Sequence, residues 1–194
     1  MSLKFYVLGV DQGIANCGCA IVEFEEDAKG ELTYKVIEHA CLKTTSAFYM
    51  GTRLNKISEK IATYFSLYDL SIVGCEKLFF SPPRKNEKKF RNKSASMLYT
   101  SYATGMLYIL TSTFGVQLKD FTPGTVKKII CENGKATKED MISKIKDDFS
   151  ISTNLSEHEA DAIGIAVAAG LFYYKDQKNC NLINKAIKAH KKIK

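Results

Sequence analysis

Lys4 to Asp11 (KFYVLGVD) is an almost continuous apolar run that stops on an acid, the pattern of a buried central strand. Gly13 to Phe24 reads as a second strand with Gly18 inside it, and Glu25 to Gly30 as a polar turn. Leu32 to Ala40 then alternates, with Leu32, Tyr34 and Val36 on one side and Thr33, Lys35 and Ile37 on the other. Together these segments predict a meander of antiparallel hairpins.

The period changes after residue 47. From about Phe48 to Tyr68, Leu54, Ile57, Ile61 and Phe65 recur at helical spacing, with Arg53, Lys56 and Lys60 off that face. Leu70 to Cys75 is a short strand that ends on Glu76, and a basic segment with Pro82-Pro83 forms a loop. Ser94 to Thr113 is apolar nearly all round, as in a helix buried on more than one side. Val116 to Phe121 predicts a further strand. Thr122-Pro123 opens a helix that closes at Asn133-Gly134. Thr137 caps a helix to Phe149. Ser156 and Glu159 form a capping box for a last helix to about Tyr174, and a basic tail follows. Hairpin strands followed by alternating helices and strands make a mixed α/β layer fold.

The chain has 194 residues, about one domain's worth, and 45% apolar residues, a globular composition. It has no apolar run long enough to span a membrane and no secretory leader, so a cytoplasmic protein is expected. The net charge of +7 is unevenly placed. Residues 81–93 carry +5 and residues 175–194 carry +6, leaving the rest at about −4. An acidic body with two basic extensions suits a polyanion held against an acidic site, while a solvated lysine-rich loop and tail is the plainer alternative. The six cysteines show no C-x-x-C pair, so reduced thiols are expected and zinc is not.

Three acids stand out by context. Asp11 ends the first strand beside Gly13, and Glu76 ends another. Asp161 lies in a helix whose neighbours are small and apolar (Ala160, Ala162, Gly164, Ala166, Ala168, Ala169 and Gly170). That helix must pack very closely on something, and an acid on it is costly without a cation. Three carboxylates from distant segments can converge on hard divalent cations, which prefer oxygen ligands. Singly, each has an ordinary reading: a turn acid, a surface strand end, a buried acid paired with a lysine.

In order, these segments resemble the RuvC family of Holliday-junction resolvases, within the ribonuclease-H-like superfamily. The matching motifs are Gly9-Val10-Asp11-x-Gly13, Cys75-Glu76-Lys77-Leu78-Phe79, Phe121-Thr122-Pro123-x-x-Val126-Lys127, Gly134-Lys135-Ala136-Thr137-Lys138 and His158-x-x-Asp161-Ala162-Ile163-Gly164-Ile165-Ala166. The resemblance covers roughly residues 4–172. It implies a ribonuclease-H-like mixed five-stranded sheet flanked by helices, with residues 1–174 as the nuclease domain (the basic loop 81–93 included) and 175–194 as a basic C-terminal tail.

It also implies a homodimer that resolves four-way DNA junctions by paired symmetric nicks, using two Mg²⁺ ions ~3.5–4 Å apart with Mn²⁺ able to substitute. Asp11 would bridge the metals, with Glu76 and Asp161 as further ligands. His158 would be the fourth ligand, with Glu157 as the competing residue. Lys127 and Lys138 match lysines near the scissile strand, where either can stabilise charge on the phosphate. Phe79 matches a base-stacking aromatic, with Phe80 as its alternative, and Arg84, Lys85 and Lys88 would contact phosphates. The 94–113 helix is the expected dimer face, a well-buried monomer helix being the alternative. The long basic loop and the basic tail depart from the bacterial pattern in a way that suits a phage or mobile-element relative. Other readings are a broader flap, fork or RNA nuclease, a non-catalytic junction binder, and a sugar-kinase or actin-like ATPase. The last of these normally needs a second domain and a second Asp-x-Gly loop.

Overall fold

The computed structural model describes residues 3–78 and 90–191, without the side chains of 90–96 and 181–191. The apolar run at the N-terminus builds β1 (Lys4–Asp11) into the centre of a five-stranded sheet, where Val7, Leu8 and Val10 are fully buried. The meander follows as the antiparallel strands β2 (Asn16–Glu26) and β3 (Leu32–Lys43). After α1 (Met50–Leu67) the chain crosses to the other side of β1 and adds β4 (Leu70–Glu76) parallel to it. After α2 (Phe90–Thr113) it adds β5 (Gln117–Phe121) parallel to β4. The strand order is β3-β2-β1-β4-β5, followed by α3 (Pro123–Cys131), α4 (Lys138–Phe149) and α5 (Glu157–Lys191). This is the expected mixed sheet with helices on both faces.

Two cores result. On one face Phe5, Val7, Ala20, Val22, Phe24 and Ile72 pack with Val126 and Ile130 of α3, Met141 and Ile145 of α4, and the alanine-rich side of α5. On the other, Leu8, Val10, Cys19, Ile21, Val73 and Cys75 pack with Ile57, Ile61 and Tyr64 of α1 and with Ala103 and Leu107 of α2. All six cysteines are free.

The structure corrects several expected details. Arg53 is not on the outer side of α1. It is only 9% exposed, and its Nε donates to Thr44 Oγ1 at 2.8 Å, so a paired guanidinium shares the inner face. The α3 helix ends earlier than Asn133-Gly134, at Cys131, and Glu132 takes the left-handed conformation (φ 55°). The α5 helix passes Tyr174 and continues to Lys191, because residues 175–191 contain neither Pro nor Gly to stop it. Among its described side chains α2 is buried on one side, with Thr104 and Leu107 facing inward and Tyr108 and Ile109 exposed, which differs from the alternative of a well-buried monomer helix.

Candidate active site

Parity along the strands puts the acids on one face. Gly9 pairs with Gly74 and Val10 with Cys75, so Asp11 and Glu76 sit one step further on at the same end of adjacent parallel strands. Gly9, Gly18 and Gly74 leave a groove on that face, and α5 lies in it. A Cβ on Gly9 would fall 2.1 Å from the Ala162 carbonyl oxygen, and one on Gly18 would fall 1.9 Å from that of His158. The absence of side chains there lets the α5 backbone touch the sheet, bringing His158 and Asp161 over Asp11 and Glu76.

The lysines arrive from α3 and α4. Thr122 caps α3, with Pro123 in its first turn, and Thr137 caps α4 through a reciprocal capping box with Asp140. These caps fix where the two helices begin, and hence where Lys127 and Lys138 stand. Asp11, Glu76, Lys127, Lys138, Glu157, His158 and Asp161 all line one cavity of about 330 Å³, so the structure brings together all the expected site residues it describes. Phe79, Arg84, Lys85 and Lys88 lie outside the described residues.

The electrostatics are those of crowded acids. Burial pushes the Glu76 carboxyl up to about 7, with the Asp11 and Asp161 charges adding to the effect. Burial likewise raises Asp161 to about 6, assisted by Asp11 and Glu157. Asp11 is also raised by burial, opposed by His158, whose Nδ1 lies 2.6 Å from Asp11 Oδ2. Lys138 is paired with Glu157, which raises the lysine's pKa. Lys127 donates from Nζ to the Ala136 carbonyl at 2.5 Å.

Among the described residues, no group of three or more acid, His or Cys side chains is poised as it stands to hold a metal ion. Asp11 is turned to His158 and Glu157 to Lys138. The donor chemistry nevertheless fits a hard divalent cation: three carboxylates whose mutual repulsion is relieved by positive charge, with an imidazole at hand. Of the two residues competing for the fourth place, His158 already touches Asp11, whereas Glu157 is engaged by Lys138.

Two supports were not legible in the sequence. Gln12 bonds to both backbone groups of Glu76. His39 of β3 meets Glu159 at 2.8 Å, and Glu159 also closes the expected capping box on Ser156, so β3 is tied to the start of α5. The one available signal for Gln12 is parity: it follows a strand-end acid and shares the side of Val10.

Known proteins bear on this site. The model of the family described as "Crossover junction endodeoxyribonuclease RuvC" matches residues 7–169. The protein of that name from Corynebacterium jeikeium is 29% identical over 161 residues, which is 82% of this chain and 90% of that one. The one from Neorickettsia sennetsu is 27% identical over 172 residues, 89% and 95% of the two chains. Among solved structures, Thermus thermophilus RuvC aligns with a TM-score of 0.69 at 22% identity, covering 90% of this chain and 97% of that one. The T. thermophilus RuvC in complex with Holliday junction substrate also aligns at 0.69, with 21% identity over 84% and 90% of the two chains. These structural likenesses establish a shared fold.

Proposed function

Since the chain belongs to the RuvC family of crossover junction endodeoxyribonucleases, we propose that it resolves four-way (Holliday) DNA junctions, nicking two opposing strands symmetrically with two Mg²⁺ ions in each site. The observation that carries this reading is the meeting of Asp11, Glu76 and Asp161, from three remote elements, in one cavity that Lys127 and Lys138 also line. Four-way DNA as the substrate is supported by the relatives' shared name and by the T. thermophilus RuvC solved with a Holliday junction. A DNA substrate also carries the expectation of a cytoplasmic protein. Among the described residues, no helix is long and apolar enough to cross a membrane.

When bound, the ions would supply Lewis-acid stabilisation of the phosphate and would lower the pKa of a water toward neutrality. Asp11, Glu76 and Asp161 would hold them through carboxylate oxygens, with His158 as the fourth ligand. Lys138 neutralises charge on the scissile phosphate after exchanging Glu157 for the incoming anion. Lys127 braces the Ala136 turn that leads into α4, and its ammonium faces the same cavity. Two-fold pairing through α2 would set two such sites against opposing strands.

Asp161→Asn tests the assignment directly. The variant removes a charged ligand while keeping the side chain's shape. Cleavage of a labelled junction in Mg²⁺ is expected to fall by ~10³-fold or more, with junction binding in Ca²⁺ held within about threefold. Cleavage that survives would place the chemistry elsewhere.

A further inference from the structure

Gln12 is 1% exposed and follows the acid that ends β1. The backbone ladder between β1 and β4 stops at Val10 and Cys75, and a side chain makes the next rung. Gln12 Oε1 accepts from the Glu76 N–H at 2.9 Å, and its Nε2 donates to the Glu76 carbonyl at 2.5 Å. Nε2 also donates to Thr104 Oγ1 on α2 at 3.3 Å, and that hydroxyl donates to the Thr100 carbonyl at 3.0 Å. Both amide hydrogens and the carbonyl oxygen therefore have partners. Gln12 is not among the residues lining the cavity, so it does not touch the reacting atoms.

We infer that Gln12 is a positioning residue for strand cutting, its amide fixing Glu76 beside Asp11. The inference rests on the reading of Asp11 and Glu76 as metal ligands given above. Asp11 and Gln12 are joined by one peptide bond, so a single dipeptide supplies one ligand and the clamp on another. Strand pairing with β5 holds Glu76 from the far side, and Gln12 is its fixed point on the β1 side. A Met fills the same volume but leaves the Glu76 N–H and carbonyl without this partner. The Glu76 backbone could then turn at the strand end. Mg²⁺ demands near-ideal octahedral geometry, so a small rotation of one ligand is felt in binding.

The test uses the full chain as wild type, Gln12→Met and Thr104→Val. Mn²⁺ binding without DNA is followed by electron paramagnetic resonance, alongside junction cleavage titrated with Mg²⁺, junction affinity in Ca²⁺, and thermal unfolding. Gln12→Met is expected to raise the half-saturating Mn²⁺ concentration ~10-fold and to lower kcat ~10–100-fold, with junction affinity unchanged. Thr104→Val keeps both Glu76 bonds and should shift Mn²⁺ binding less than about threefold.

A Gln12→Met protein that melts earlier but binds Mn²⁺ and turns over like wild type overturns the inference, leaving Gln12 a packing residue. Equal losses in Thr104→Val overturn it too, because the Glu76 contacts would then not be the cause. Should Gln12→Met not fold, Gln12→Asn keeps the amide but is one methylene too short to reach both Glu76 atoms, and is read in the same way. Wild-type protein that neither binds Mn²⁺ nor cuts fails the nuclease reading itself, whereas wild-type binding matched by Gln12→Met fails this inference alone.

Discussion

Glu76, pushed up to about 7, and Asp161, pushed up to about 6, are two of the residues through which pH acts on this molecule. Both are raised above ordinary values of 4.5 and 3.8, so folding favours their protonated forms. The stability they contribute is complete below those ordinary values and is lost as pH rises through about 6 and then about 7. A divalent ion binds only the ionised carboxylates and reverses the loss. Thermal unfolding in chelator is therefore expected to show a melting temperature that falls between about pH 5 and about pH 8, and Mg²⁺ should restore it most at the high end. A melting temperature independent of both pH and Mg²⁺ would mean that the carboxylates do not share an ion site. These acids could be found in the sequence because Glu76 ends an apolar run and Asp161 interrupts one. Their supports could not: Gln12 and Glu76 are 64 positions apart and His39 and Glu159 are 120 apart, and no local pattern marks which polar residues meet.

At the scale of elements, the site depends on how closely α5 lies on the sheet. The helix's small side was legible from Ala160 to Gly170, as was the need for close packing. The matching groove was not, because Gly9, Gly18 and Gly74 become neighbours only through strand register. Gly9→Ala would place a methyl 2.1 Å from the Ala162 carbonyl oxygen, which must lift α5. We expect ~1–3 kcal/mol of destabilisation from such overpacking, measured by denaturant titration, with cleavage lost as Asp161 moves away from Asp11. Gly51→Ala in α1 meets nothing within 4 Å and should be neutral or stabilising in the same experiment. Equal effects at the two positions would refute the role given to the groove. The length of α5 was only half legible: the Ala186-Ile187-x-x-His190 spacing in the basic tail fits a weak helix or a disordered segment alike, and nothing in its composition breaks a helix.

At the scale of the whole molecule, α2 is the unfinished surface. Its inner side reaches the core through Ala103 and Leu107, while Tyr108 is 56% and Ile109 69% exposed. The sequence shows a helix apolar nearly all round, which fits a dimer face or a well-buried monomer helix alike, and the described side chains bury one side of it. A twin helix is the proposed cover, so Ile109→Asp is expected to shift the protein from dimer to monomer in sedimentation and to uncouple the two nicks. An Ile109→Asp protein that remains dimeric would place the two-fold contact on another surface.

The proposed activity is paired, structure-selective cutting of four-way DNA at a divalent-metal site. The most direct measurement maps the nicks made by purified protein on an end-labelled immobile four-way junction and on a linear duplex of matched length, in Mg²⁺ and again in chelator. Symmetric nicks are expected on two opposing strands of the junction, with none on the duplex and none without the metal. Equal cutting of junction and duplex, or tight junction binding with no cutting in any divalent metal, would contradict it.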